Sequence, residues 1–240
     1  MRLEKIKTQG LAHLSYFLSA DGEAAVIDPR RDIDIYLDLA REEGSVIKHV
    51  FETHRNEDLL SGAPVLKEET GAKVWHGPNP EKPIQYAAET REGDTFEIGG
   101  ALLKVLETPG HTDDSLSYVL YDKSFEEGPV GVFTGDALFI GDVGRTDFYP
   151  DRKREVAGLL YDSLEKLMRL GDQGSREPLH PAILPAHGRG QYGRHRSCAA
   201  GAPARFPGQV ARSGRCGLPR CPWHIRLCRR TPHGLALHPG

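Results

Sequence analysis

Apolar positions in the first 188 residues follow two alternating periods. Short β-branched runs alternate with stretches whose apolar residues recur at helical spacing, the pattern of a layered α/β protein. Residues 13–19 and 24–28 read as strands around a turn at Asp21-Gly22. Asp32 stands where it can cap a helix carrying Ile33, Tyr36, Leu37 and Ala40 on one face, and Gly44 ends it. A buried strand at 46–52, a helix over 60–69 and a strand at 73–76 follow. Residues 95–98, 101–107, 115–121 and 130–133 predict a meander. Val156, Leu159, Leu160, Leu164, Leu167 and Met168 then mark the face of a long helix, and 182–185 a last short strand. No internal repeat is visible.

Polar residues interrupt this pattern at particular places. His54, His111, Asp136 and His187 each follow an apolar strand directly, inside a Gly-, Pro- or Thr-rich turn. Strand ends hold loop side chains on a rigid frame, as a metal site requires. One such histidine is more often a hydrogen-bonded surface residue than a ligand; four groups in one context point to a metal.

Composition divides the chain. The net charge of −3 over 240 residues conceals 21 Lys+Arg against 34 Asp+Glu before residue 189, and ten Arg with no Lys and no acid after it. All four cysteines lie in the later part, as Cys198, Cys216, Cys221 and Cys228. The expected organisation is therefore a metal-binding domain at 1–188 and an Arg/Gly/Pro-rich tail at 189–240, expected to be disordered. Its cysteines lack the tight knuckles of a zinc ribbon. Trp223, the one aromatic after Phe206, offers no stacking platform for nucleic acid. No apolar run reaches the length of a membrane span and no apolar signal core opens the chain, so a cytoplasmic protein without membrane or nucleic-acid partners is expected.

The strand-end residues resemble the metallo-β-lactamase superfamily. Its opening Thr-His-x-His-x-Asp-His motif stands here as Thr53-His54-Arg55-Asn56-Glu57-Asp58-Leu59. Pro109-Gly110-His111-Thr112, Thr134-Gly135-Asp136 and Pro185-Ala186-His187-Gly188 follow in the family's order, over about residues 10–190. The resemblance implies an αββα sandwich with the metal loops along one edge of two packed sheets.

Two departures bear on the chemistry. Asn56 replaces the second motif histidine and Leu59 the last, so the two-metal site of the hydrolase relatives cannot be assembled in the same way. His54, His111 and Asp136 remain. Two imidazoles and a carboxylate are the facial triad of non-haem Fe(II) oxygenases. The persulfide dioxygenase branch is similar: it holds one iron on the equivalents of these residues, and shares the runs Gly135-Asp136-Ala137-Leu138-Phe139 and Gly144-Arg145-Thr146-Asp147.

That likeness implies one Fe(II) per chain, with Zn(II) as the alternative, and oxidation of a glutathione-like persulfide by O₂ to sulfite and thiol. Asp58, His187 and Asn56 are expected to support the ligands without binding iron. Arg145 is a candidate carboxylate clamp, or an ion-pair partner of Asp147 or Asp142. Tyr16 stands where the branch has a pocket tyrosine, or is a core residue. His13, His49, His76 and His180 match no ligand position. Arg55-Asn56-Glu57 resembles the subgroup fused to rhodanese, which makes a rhodanese-type sulfurtransferase an expected partner.

In the family, the stretch beyond residue 188 would complete the sandwich. The loss of Asp, Glu and Lys there suits a GC-rich gene read out of frame, with a frameshift near 189–196 and an incomplete C-terminal part. The alternatives to a dioxygenase are a glyoxalase-II-like thioester hydrolase and a non-catalytic metal-binding or sulfur-relay module.

Overall fold

The computed structural model describes residues 1–56, 59–79, 83–125, 128–171 and 182–185. Asp58, His180, His187, the cysteines and the 189–240 tail lie outside the described residues. In chain order the elements are β1 (Arg2–Lys7), β2 (Leu14–Ala20), β3 (Glu23–Ile27), α1 (Asp34–Glu42), β4 (Val46–Phe51), α2 (Ala63–Thr70), β5 (Lys73–His76) and β6 (Ala88–Glu89). The second half holds β7 (Thr95–Ile98), β8 (Ala101–Glu107), β9 (Leu116–Asp122), β10 (Gly131–Gly135), β11 (Leu138–Phe139), β12 (Asp142–Val143), α3 (Lys153–Met168) and β13 (Ala182–Pro185).

The strands form a six-stranded sheet in the order β1-β2-β3-β4-β5-β6 and a five-stranded sheet in the order β13-β10-β9-β8-β7. β11 and β12 make a separate small hairpin. β3, β4 and β5 run parallel, as they must when α1 and α2 are the crossovers between them.

Period-2 alternation builds three apolar layers from these strands. Leu18, Ile27, Phe51, Leu103, Tyr118 and Phe133 meet between the sheets. Their neighbours Val26, Val50 and Val74 face the other way and pack with Tyr36 of α1 and Leu66 of α2. Val119 and Val132 do the same for Leu160 and Leu167 of α3. Helix, sheet, sheet, helix is the expected αββα order.

Three local expectations need correction. Asp32 does not cap α1: the helix begins after Ile33 without a side-chain cap, and the Asp32 carboxylate takes the Arg30 guanidinium at 3.0 Å. The second helix starts at Ala63, not residue 60, because Ser61 Oγ accepts the Ala63 N–H at 3.0 Å and Pro64 sets the first turn. Met168 is exposed, and Ser163 takes a buried place on α3 by donating to the Pro109 carbonyl at 2.8 Å. β1 escaped the pattern because Glu4 fills one of its inward positions, 4% exposed and paired with Arg2. No helix among the described residues is long and apolar enough to cross a membrane.

The turn after β8 is set directly on α3. Gly110 has φ +132°, and a Cβ there would lie 2.4 Å from Leu160 N and 2.5 Å from Leu160 Cα. Helix backbone cannot yield as a flexible side chain would. Gly110→Ala is therefore expected to cost about 2–4 kcal/mol from backbone strain and overpacking. A denaturant midpoint measurement checks this; an unchanged midpoint would show that α3 does not seat the turn.

Candidate metal centre

Three loops at one edge of the sandwich converge. His54 follows β4 through Glu52-Thr53, His111 sits in the turn after β8, and Asp136 follows Gly135 at the end of β10. One donor thus comes from the six-stranded sheet and two from the five-stranded sheet. Their ligand atoms all lie within 4.8 Å of one another. His111 Nε2 is 3.5 Å and His54 Nε2 3.9 Å from Asp136 Oδ2. Ligand bonds of about 2.1 Å allow donors up to about 4.2 Å apart to share one ion, so both separations fit a common centre. The imidazoles are 6% and 5% exposed and meet edge-on with centroids 5.1 Å apart. Two neutral nitrogens and a carboxylate suit a first-row transition ion and leave positions open.

Hydrogen bonds fix which ring nitrogen faces the centre. His111 Nδ1 lies 3.0 Å from the Arg145 carbonyl. A carbonyl can only accept, so Nδ1 carries the proton and Nε2 keeps its lone pair. On His54 the same result comes through two bonds. Thr53 Oγ1 donates to Asp28 Oδ2 at 2.9 Å; having spent its one proton, it accepts from His54 Nδ1 at 2.9 Å. Asp28 also accepts the Thr53 N–H at 2.7 Å. Asp28 and Thr53 therefore act on the centre through His54.

The two sheets are locked at this edge. Leu116 N–H donates to the Thr53 carbonyl at 2.6 Å. Asp114 accepts from Thr112 Oγ1 at 2.7 Å and Asn79 Nδ2 at 2.8 Å. Burial alone would raise Asp114, but hydrogen bonds from Asn79, Thr112 and the Arg55 backbone hold its pKa below the usual carboxylate value. Gly144 lets the segment leading to Arg145 approach: a Cβ there would meet the Asp136 carbonyl oxygen at 2.0 Å.

The other candidate residues fall in different places. Asn56 and Leu59 line a cavity of about 280 Å³ beside His54, and neither is part of the three-ligand group. Asp58 and His187 lie outside the described residues. Arg145 places its guanidinium on Asp147, with Nη2–Oδ2 at 2.7 Å, and over the Phe148 ring at 4.8 Å. Phe148 in turn stands edge-on to His111, centroids 5.1 Å apart. Tyr16 is a core residue, 1% exposed and edge-on to Phe133. His49 is structural: its Nδ1 accepts from Trp75 Nε1 at 3.0 Å.

Sequence reasoning passed over Asp28, Glu52, Thr53 and Tyr86, and assigned His76 to structure. A signal was available. β3, β4 and β5 pair with Ile27 opposite Phe51 and Phe51 opposite Trp75. Asp28, Glu52 and His76 are therefore the next residues in one row across three parallel strand ends, and two of them open the polar sequence after an apolar run. Burial pushes Asp28 up to about 7 against the lowering effect of the Thr53 hydrogen bonds, with Glu52 and Asp136 adding repulsion. Burial likewise raises Glu52, opposed by Ser61, His76 and Tyr86.

The sequence profile described as the Metallo-beta-lactamase superfamily matches residues 8–173. A hydroxyacylglutathione hydrolase of Rhodopseudomonas palustris (strain BisA53) is 35% identical over 64% of this chain and 55% of that relative. The chain spans about half the length of the curated relatives of that kind. Among solved structures, a metallo-beta-lactamase from Staphylococcus aureus subsp. aureus COL superposes with TM-score 0.69 at 31% identity, over 79% of this chain and 56% of that one. ETHE1 from Myxococcus xanthus gives TM-score 0.64 at 31% identity, over 80% and 78%.

Two outcomes test the Asp28–Thr53–His54 connection. Thr53→Val should weaken metal affinity roughly 10–100-fold in a competition titration while Thr53→Ser restores it; equal affinity in all three proteins would refute the relay. In metal-free protein, Asp28 binds its proton more tightly folded than unfolded. Its contribution to stability is full below the unfolded pKa of 3.8 and is lost as pH rises through about 7. Asp28→Asn should remove that part of the decline in denaturant midpoints measured across this window.

Proposed function

Since the chain belongs to the metallo-β-lactamase superfamily, we propose that it is a mononuclear Fe(II) enzyme of the persulfide dioxygenase type. Its substrate would be a low-molecular-weight thiol persulfide of glutathione type. The observation that carries this reading is the donor set: His54, His111 and Asp136 lie within 4.8 Å, while Asn56 stands in place of an imidazole of the family's first ion and Leu59 in place of one of its second. The reaction balances as persulfide plus O₂ and water giving thiol, sulfite and two protons. The terminal sulfur is oxidised and O₂ is reduced.

When bound, Fe(II) would supply the electrons that make O₂ reactive toward sulfur. The protein's own contribution is positional. The Arg145 carbonyl and the Thr53 hydroxyl hold both imidazoles with Nε2 forward. The near-complete burial of His54 and His111 keeps bulk water from the ligand side. Arg145 stands beside the centre through Phe148, and its ion pair with Asp147 is exposed. Exposed pairs contribute little stability, so a substrate carboxylate can replace Asp147 at small cost.

A second reading has a specific observation behind it: curated relatives at 30–35% identity are named hydroxyacylglutathione hydrolase. It would require a metal-activated water and, in the usual arrangement, two ions. Both readings take a glutathione-linked sulfur compound, and they differ in metal count and in O₂.

Elemental analysis of protein purified without added metal, followed by oxygen uptake with glutathione persulfide after iron reconstitution, separates them. One iron per chain with uptake, both abolished in Asp136→Ala, is expected. Two zinc ions per chain with cleavage of a glutathione thioester would replace the proposal with the hydrolase, and neither activity would favour a non-catalytic module.

A further inference from the structure

Phe148 is a large ring in a place that packing does not explain. It is 37% exposed, whereas Phe17, Phe51 and Phe133 are wholly buried, so it does not serve to fill a core. It belongs to a strap, residues 144–152, that crosses two of the ligand loops. At the start of the strap, a Cβ on Gly144 would come 2.0 Å from the Asp136 carbonyl oxygen and 3.1 Å from His111 Cβ. At its end, Tyr149 Oη accepts the Asp113 N–H at 3.1 Å, and Arg152 Nη1 donates to Asp113 Oδ2 at 2.8 Å. Between these ties Phe148 stands against His111, with ring centroids 5.1 Å apart and planes at 75°.

His111 has a degree of freedom that its hydrogen bond does not remove. The Arg145 carbonyl accepts from Nδ1 at 3.0 Å, which sets the tautomer but holds one corner of the ring. Histidine χ2 is a broad torsion, and the direction of the Nε2 lone pair follows the ring plane. His54 also stands edge-on to His111, at 5.1 Å and 77°. It is itself a member of the ligand group, so it gives the plane no independent reference. Phe148 lies outside that group and is tied to the fold through the strap. Edge-on aromatic pairs favour particular orientations, which is the restraint the imidazole lacks.

We propose that Phe148 is a positioning residue that sets the ring plane of His111 and thereby aims Nε2 at the metal. The inference rests on the reading of His54, His111 and Asp136 as ligands of one ion, and not on the reaction that ion performs. The competing role for the ring is a platform for the Arg145 guanidinium, which lies 4.8 Å from its centroid. A platform alone would leave the geometry at the metal untouched.

Cobalt(II) bound at the centre reports ligand geometry through its visible absorption bands, with no substrate, O₂ or turnover involved. Phe148→Ala should shift these bands and weaken cobalt binding roughly 3–10-fold in a competition titration. Phe148→Tyr, which keeps the ring, should restore both. Arg145→Gln, which keeps the backbone carbonyl, should leave the bands in place. Unchanged bands and affinity in Phe148→Ala overturn the proposal and leave the ring as a platform. Bands that move as far in Arg145→Gln as in Phe148→Ala overturn it too, because the guanidinium would then be the actor.

Should Phe148→Ala fail to fold, Phe148→Leu carries the same decision, since it keeps apolar bulk without an aromatic edge. Shifted bands are expected there, and unchanged bands overturn the assignment. Failure of wild-type protein to bind one cobalt per chain would reject the three-ligand centre itself. Failure of the positioning role alone would leave that stoichiometry intact.

Discussion

Holding three donor groups from two separate sheets around one point, with little water to screen them, is the demand on which the rest of this structure turns. Two imidazole lone pairs and a carboxylate facing each other repel, and burial makes the repulsion worse. The fold answers with rigidity instead of solvent. Leu116 N–H bound to the Thr53 carbonyl joins the loop of His54 to the strand that follows the loop of His111. Gly110 seats that second loop on the α3 backbone. α3 is therefore both the cover of the second sheet and the support of one ligand. Packing and site geometry are set by the same contacts.

The layer order was legible because it depends on periodicity, which sequence displays directly. Val26 and Ile27, or Val50 and Phe51, reveal two buried faces as a continuous apolar run. The three residues that the structure brings together as candidate ligands were legible for a related reason, since each is the chemically distinctive residue of a short turn after such a run. What sequence hid was pairing across distance. β1 disguises an inward position as Glu4, and that position makes sense only with Arg2 beside it. Asp28 and Thr53 look like ordinary strand-end polar residues until the parallel register sets them side by side. The Arg145 backbone, not its guanidinium, orients His111; side-chain chemistry carries no trace of that. Asp32 misled for the opposite reason. Its capping propensity was real, but Arg30 competed for the carboxylate and won.

The choice between one metal and two depends on donor supply more than on fold. The sandwich and its edge are common to both kinds of relative, so overall similarity to either cannot decide the chemistry. Donor identity can. The amide at 56 is a poor ligand for a zinc-type ion and the aliphatic chain at 59 has no lone pair to give, whereas His54, His111 and Asp136 stand together with both imidazoles correctly tautomerised. The same substitutions help shape the cavity, because Asn56 and Leu59 line it beside His54. Space given up by a second metal is thus adjacent to space a substrate can use.

The charge distribution at this edge also links metal binding to folding. Asp28 is raised by burial and by Glu52 and Asp136, and Glu52 by burial and by Asp114. Four acidic residues from four segments thus converge within mutual electrostatic reach, and few cations are placed among them. Two exposed arginines near the ligand loops, Arg152 and Arg145, make ion pairs with Asp113 and Asp147. A divalent ion held between His54, His111 and Asp136 would relieve this accumulation at its source. It would bind the folded arrangement and not the open chain, so its binding free energy would add to stability. The strand ends can then tolerate a concentration of carboxylates that apo protein holds only under strain from self-repulsion. Metal occupancy and the integrity of the His54 and His111 loops would then be a single equilibrium, governed by the acids gathered around them.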